Sequence, residues 1–379
     1  MPREDAAEIR RSFGCLLLLT ATAAAHEGHT HGPSPLTQAS GSERSASGTA
    51  QAAPPAAPAR VTGQGDLRFR YNAELSELPR EIAKGLKPAH GAIAKGPQGE
   101  LYFGLEGTGL VRVSADLEAK SIISTDGRLS TGGMHDAEYL PHRGGMLVLP
   151  DNKRGQLHFA KLTGEVIRSV GRPDAYEHFE NPRNGYAPTS VAVGPDGLLY
   201  VCDGYQSRLV LTLDLGSMDY TARYFGGVSK DPLRQSPGKY STNHGVALGE
   251  DGESLLIADR ECRWLQRVTP DGDYVEGFQV GGARPCGIDF VEFGGEQLMV
   301  VGCLRGPDNS PGVVQLYRQT KGQPGKWEIV STLRPKIDLG LEAFRHVHNA
   351  IGVVRGDRLY VLCYGWNPGC YAVLERTPN

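Results

Sequence analysis

The chain repeats itself. The stretch Pro188-Thr-Ser-Val-Ala-Val-Gly-Pro-Asp-Gly-Leu-Leu-Tyr-Val-Cys-Asp-Gly-Tyr205 is echoed by Asn243-His-Gly-Val-Ala-Leu-Gly-Glu-Asp-Gly-Glu-Ser-Leu-Leu-Ile-Ala-Asp-Arg260. Each copy reads as an apolar run, an Asp-Gly pair, a second apolar run ending in aspartate, a loop, and a third run such as Arg208-Leu-Val-Leu-Thr-Leu213. Asp-Gly between apolar runs is a strong hairpin signal. Such a unit cannot bury its apolar face alone and must stack on its neighbours.

Weaker copies begin at Ala89-His90, Met134-His135, Pro285-Cys286 and Val347-His348. With the two clear ones they make six, and the register positions are His90, His135, Thr189, His244, Cys286 and His348. Six units of three or four strands set radially form an all-β, six-bladed β-propeller, which leaves only short sheet edges exposed. A chain of 379 residues with Gly 50 and Pro 25 suits many short strands in one domain. The last copy holds only three strands, so the alternating segment Leu67-Arg-Phe-Arg-Tyr-Asn-Ala73 is expected to add the outer strand and close the ring.

The amino-terminal part reads differently. Arg10-Arg11 precede the apolar run Cys15–Leu19, and Ala23-Ala24-Ala25 offers a small-residue cleavage site, so residues 1–25 are expected to be an export signal of twin-arginine type. The run is too short to span a bilayer, and no later segment is apolar enough to do so. Residues 26–60, rich in Ala, Ser, Pro and Gly, read as a flexible tether. The tether opens with His26, His29 and His31, either a metal scavenger or a solvated leader. The propeller then occupies 61–379, in a periplasmic or secreted protein expected to be monomeric. A net charge of −3 without a basic stripe excludes nucleic acid as a partner. Cleavage would leave six cysteines with 15 possible pairings, among which Cys363–Cys370, flanking Tyr-Gly-Trp-Asn-Pro-Gly, is the best single choice.

The register histidines carry the chemistry. His135, His244 and His348 sit on alternate copies, which puts them about 120° apart around a six-bladed axis. Three neutral imidazoles facing inward hold a zinc ion and leave one position open; the plainer alternative is a polar lining of a wet channel. His90 shares the register as a lining residue or a fourth contact. His346 is a competing ligand, but only His348 fits the register. Tyr205 follows Gly204 in a turn that would present its hydroxyl at the channel mouth. A phenol titrates near pH 10, so acting as a base near neutrality requires a neighbouring cation. Arg260 would supply one, or would brace the propeller through Asp259 or Glu261.

These residues resemble a known family. The module resembles the NHL repeat, and Pro188–Leu209 with His244 and Arg260 resembles the peptidyl-α-hydroxyglycine α-amidating lyase domain. The resemblance implies a six-bladed propeller with zinc on His135, His244 and His348, a catalytic tyrosine at Asp203-Gly204-Tyr205, and an active-site arginine at Ala258-Asp259-Arg260-Glu261. It implies cleavage of a carbinolamide to an amide and glyoxylate, on a small-molecule or peptide substrate. The family also carries a structural calcium beside the blade-six histidine, where this chain has Asn349 instead of a carboxylate. Two further departures stand out: Leu101-Tyr-Phe-Gly-Leu-Glu106 lacks the family's blade-one arginine, and Gln206 replaces the cysteine after the tyrosine. Two other functions compete: a non-catalytic NHL propeller that binds a peptide or glycan, and a calcium-dependent lactonase. The lactonase would need carboxylates and Asn along the axis in place of the histidines.

Overall fold

The computed structural model describes residues 60–378 apart from 87, 88, 175, 232, 233 and 324. The expected signal and tether, with His26, His29 and His31, lie outside the described residues. The described chain folds into six antiparallel sheets, five of four strands and one of five. Their innermost strands are Ala92–Lys95, Glu138–Leu140, Ser190–Val193, Asn243–Leu248, Pro285–Phe293 and Asn349–Arg355, and each contacts the next around a ring. These sheets are blades one to six in that order, and the all-β six-bladed propeller read from the repeats is the fold.

Six apolar clusters hold the ring, one between each neighbouring pair of blades. Tyr200, Val210 and Ala192 of blade three, for instance, pack on Ile257, Leu255 and Val268 of blade four. Strands sandwiched this way are buried on both faces, which explains why second and third runs such as Leu255–Asp259 and Leu209–Asp214 are apolar nearly throughout. The Asp-Gly pairs make the turns expected of them: Gly197 and Gly252 take φ of +76° and +69°, a left-handed conformation that glycine adopts without strain.

The aspartate ending the second run has a structural purpose in blades two, three and four. Asp151 accepts the N–H of Gly133, Asp203 that of Ala187, and Asp259 that of Thr242, at 2.7–2.9 Å. Each donor lies two residues before a register position. The carboxylates therefore fix the loops that deliver His135, Thr189 and His244 to the axis.

Ring closure follows the expected route. Leu67–Tyr71 pairs antiparallel with the last strand, Cys370–Arg376, placing Tyr71 opposite Leu374 and Phe69 opposite Arg376. A further strand, Val61–Gln64, which the sequence pattern did not reveal, lies outside it. Leu67 and Phe69 are fully buried against Leu333, Phe344 and Leu374.

The expected Cys363–Cys370 bridge does not form: no disulfide links any of the six described cysteines, all of which are buried. The register opposes Cys363 to Ala372 and Cys370 to Gly365. The two cysteines are diagonal neighbours, about 7–8 Å apart in such a ladder, beyond the reach of a disulfide.

Candidate metal centre

The six register residues lie at the starts of the inner strands at one end of the axis, and the side chains of all but Thr189 gather there, the Thr189 hydroxyl donating to backbone carbonyls instead. The ring centroids of His135, His244 and His348 form a near-equilateral triangle with sides of 4.6, 4.7 and 4.7 Å. His90 joins it, 4.3 Å from His135 and 4.8 Å from His348. Potential ligand atoms lie within 4.8 Å of one another in two sets, His90 with His135 and His348, and His244 with Cys286 and His348. His346 stays outside, at the rim against Trp366.

The cluster is electron-rich. Burial is the main force pushing His135, His244 and His348 well below the ordinary histidine range, helped by their imidazole neighbours and, for His244 and His348, by Arg260. The rings are therefore neutral, the form that ligates metal. His135 donates from Nδ1 to the Thr189 carbonyl at 2.6 Å, which leaves Nε2 as a lone pair, and a backbone hydrogen bond with Cys286 does the same for His244. Both Nε2 atoms then face the Tyr205 hydroxyl, at 3.0 and 3.1 Å. One phenolic proton satisfies only one of them. Neither nitrogen of His348 has a partner of hydrogen-bonding geometry, although a weaker interaction with the His90 backbone opposes the fall in its pKa. Buried lone pairs without a donor are what a borderline cation would satisfy, so the donor types fit zinc; each of the two close sets holds two of the three expected ligands, completed by His90 or by Cys286.

Tyr205 reaches this point because Gly204 packs tightly beneath it; a Cβ there would lie 2.4 Å from the Asn243 carbonyl oxygen. Arg260 donates from Nη1 to the Tyr205 hydroxyl at 3.1 Å, with its guanidinium 5.4 Å from the ring centroid. Its Nε donates to Glu261 at 2.9 Å, and Glu261 also pairs with Arg284. Arg260 thus touches the Tyr205 hydroxyl and pairs with Glu261, not with Asp259, which is occupied by the Ser241 and Thr242 amides. Burial raises the Tyr205 pKa, and Arg260 partly offsets it.

A scan against protein-family models finds no match, and no curated protein is similar in sequence. The chain is similar to a solved structure of virginiamycin B lyase from Staphylococcus aureus, at 13% identity and TM-score 0.47, over 76% of this chain and 96% of that one. A streptogramin B lyase structure matches at 12% identity and TM-score 0.46, over 78% and 95%. Hydrazine synthase of Kuenenia stuttgartiensis matches at 14% and 0.44, over 74% and 78%. Likenesses this remote carry no activity across, and none identifies an NHL or amidating-lyase family.

Three features of the site escaped the sequence reading. Cys286 lies among the potential ligands; its place in the histidine register was the signal. Glu106, standing where an arginine was expected, accepts from His90 Nδ1 at 3.3 Å and from Lys153, and these bonds hold its carboxyl below the ordinary range despite burial. Trp366 stacks near His90, 6.3 Å between centroids. Asn349, where the resemblance implies a more weakly bound calcium, donates from Nδ2 to the carbonyls of His90, Gly91 and His135 at 3.1–3.3 Å.

Proposed function

We propose that the protein is an exported, zinc-dependent lyase that cleaves the carbon–nitrogen bond of a carbinolamide, as the resemblance to the amidating lyases implies. One observation carries the reading: the Tyr205 hydroxyl lies within hydrogen-bonding distance of the Nε2 atoms of His135 and His244, with a proton for only one of them, while it accepts from Arg260. His135, His244 and His348 would hold the metal, with His90 or Cys286 as a further ligand. When bound, the ion supplies Lewis acidity that lowers the pKa of a substrate hydroxyl. Tyr205 Oη takes the hydroxyl proton as the C–N bond breaks and returns it to the departing amide nitrogen, leaving an aldehyde carbonyl. Arg260 keeps positive charge beside the phenolic oxygen, favouring its ionised form and the developing negative charge. Glu106 orients His90 by accepting its Nδ1 proton, the usual arrangement behind a metal-ligating histidine.

The test is product formation. Zinc-loaded protein incubated with N-benzoyl-α-hydroxyglycine should release benzamide and glyoxylate in equal amounts, and EDTA-treated protein should not. Absence of both products from the zinc-loaded protein would favour a propeller that only binds.

A further inference from the structure

The axis holds a second chamber. Beyond the histidine layer, the inner strands enclose a cavity of about 520 Å³. The two spaces are separated by the Asn349 amide and by Ser190, whose Oγ donates to Asp136 at 2.5 Å and accepts the Val246 N–H. Its walls are largely aliphatic, from Ile93, Val191, Ile288 and Ile351, with Asp136, Glu138, Asp289 and Lys95 set among them.

The charges in this chamber do not balance. Lys95 Nζ lies 2.7 Å from both oxygens of Asp289 and also donates to the Phe290 carbonyl, so it is fully committed. Asp136 has the Ser190 hydroxyl and backbone amides. Glu138, half-buried and lining the cavity, has no hydrogen-bond partner among the described residues. An acid in this position is costly to ionise without a counter-charge. Burial, together with the charges of Asp136 and Asp289, accordingly pushes Glu138 up to about 8.

We infer that this chamber is a binding site for a small organic ammonium ion, its charged head at Glu138 and Asp136 and its apolar body along Ile93, Val191, Ile288 and Ile351. The volume and the mostly apolar lining suit a small molecule with one fixed polar contact. A bare divalent cation fits less well. Calcium takes six to eight oxygens, and of the three carboxylates one is taken by Lys95. The site lies apart from the histidine cluster and does not depend on the lyase reading.

Isothermal titration of the folded protein with benzylamine at pH 7 tests this, with benzyl alcohol as the neutral control and calcium chloride as the metal control. Benzylamine should bind, benzyl alcohol should bind at least tenfold more weakly, and Glu138→Gln should weaken benzylamine at least tenfold. Ile351→Phe, which fills the chamber without touching a charge, should also block binding, so the test survives if Glu138→Gln fails to fold. His348→Ala should leave benzylamine affinity unchanged. Equal binding of amine and alcohol, no binding of amine, or binding of calcium lost in Glu138→Gln would overturn the inference.

Discussion

At the scale of single residues, the proposal concentrates on one oxygen atom. Replacing Tyr205 by Phe keeps the ring and removes the hydroxyl, so kcat for carbinolamide cleavage should fall about 100-fold or more, with little change in KM. Unchanged turnover would remove Tyr205 from the reaction. Glu106 acts one step back. Glu106→Gln should lower zinc affinity by about 10–100-fold, read by competition with a chromophoric chelator; an unchanged affinity would make His90 a bystander. Asn349→Asp should convert an amide donor into the carboxylate that a calcium ion needs. Millimolar calcium should then raise the melting temperature of the variant and leave the parent unmoved; an equal response in both would show that Asn349 is no barrier to calcium. The histidine register was legible because the same backbone position recurs on alternate copies. Cys286 was overlooked at that position because its side chain broke the pattern of imidazoles, and Glu106 because its partner Lys153 is 47 positions away along the chain.

At the scale of elements, the repeat was legible because each hairpin carries its own turn signal and each strand its own apolar run. What the repeat could not convey was register across the last hairpin, and the expected disulfide failed there by one diagonal step. The strand Val61–Gln64 was hidden for a local reason: Gly63 and Gly65, both with positive φ, interrupt any alternation around it. The closing strand was visible through Leu67 and Phe69, and their burial makes it a stability element. Phe69→Ala should cost about 3–5 kcal/mol, and deleting residues 61–71 should lower the melting temperature further, because it bares the edge of the last strand as well. An unchanged melting temperature in the deletion would mean that the ring closes without this strand.

At the scale of the whole molecule, the axis holds two unlike chambers, neutral imidazoles at one end and surplus carboxyls along the rest. Their linkage to pH has opposite signs. The three histidines have folded pKa values well below 6.5, so the unfolded chain takes up protons that the folded one refuses, and stability is lost as pH falls below about 6.5. Glu138 has a folded pKa of about 8 against 4.5, so the folded chain keeps a proton that the unfolded one has shed, and its contribution declines as pH rises between those values. Urea unfolding in EDTA between pH 6.5 and 7.5 should therefore show a decline that Glu138→Gln reduces by about 1.4 kcal/mol per pH unit. Identical slopes in the two proteins would mean that the Glu138 carboxyl is solvated like any surface acid.

The proposed convergence of imidazoles from alternate blades on one ion is tested most directly by metal stoichiometry. Mass spectrometric metal analysis of the purified protein after dialysis against zinc should find one tightly held zinc per chain, and none in His348→Ala. No bound zinc in the parent, or the same zinc content in His348→Ala, would contradict it.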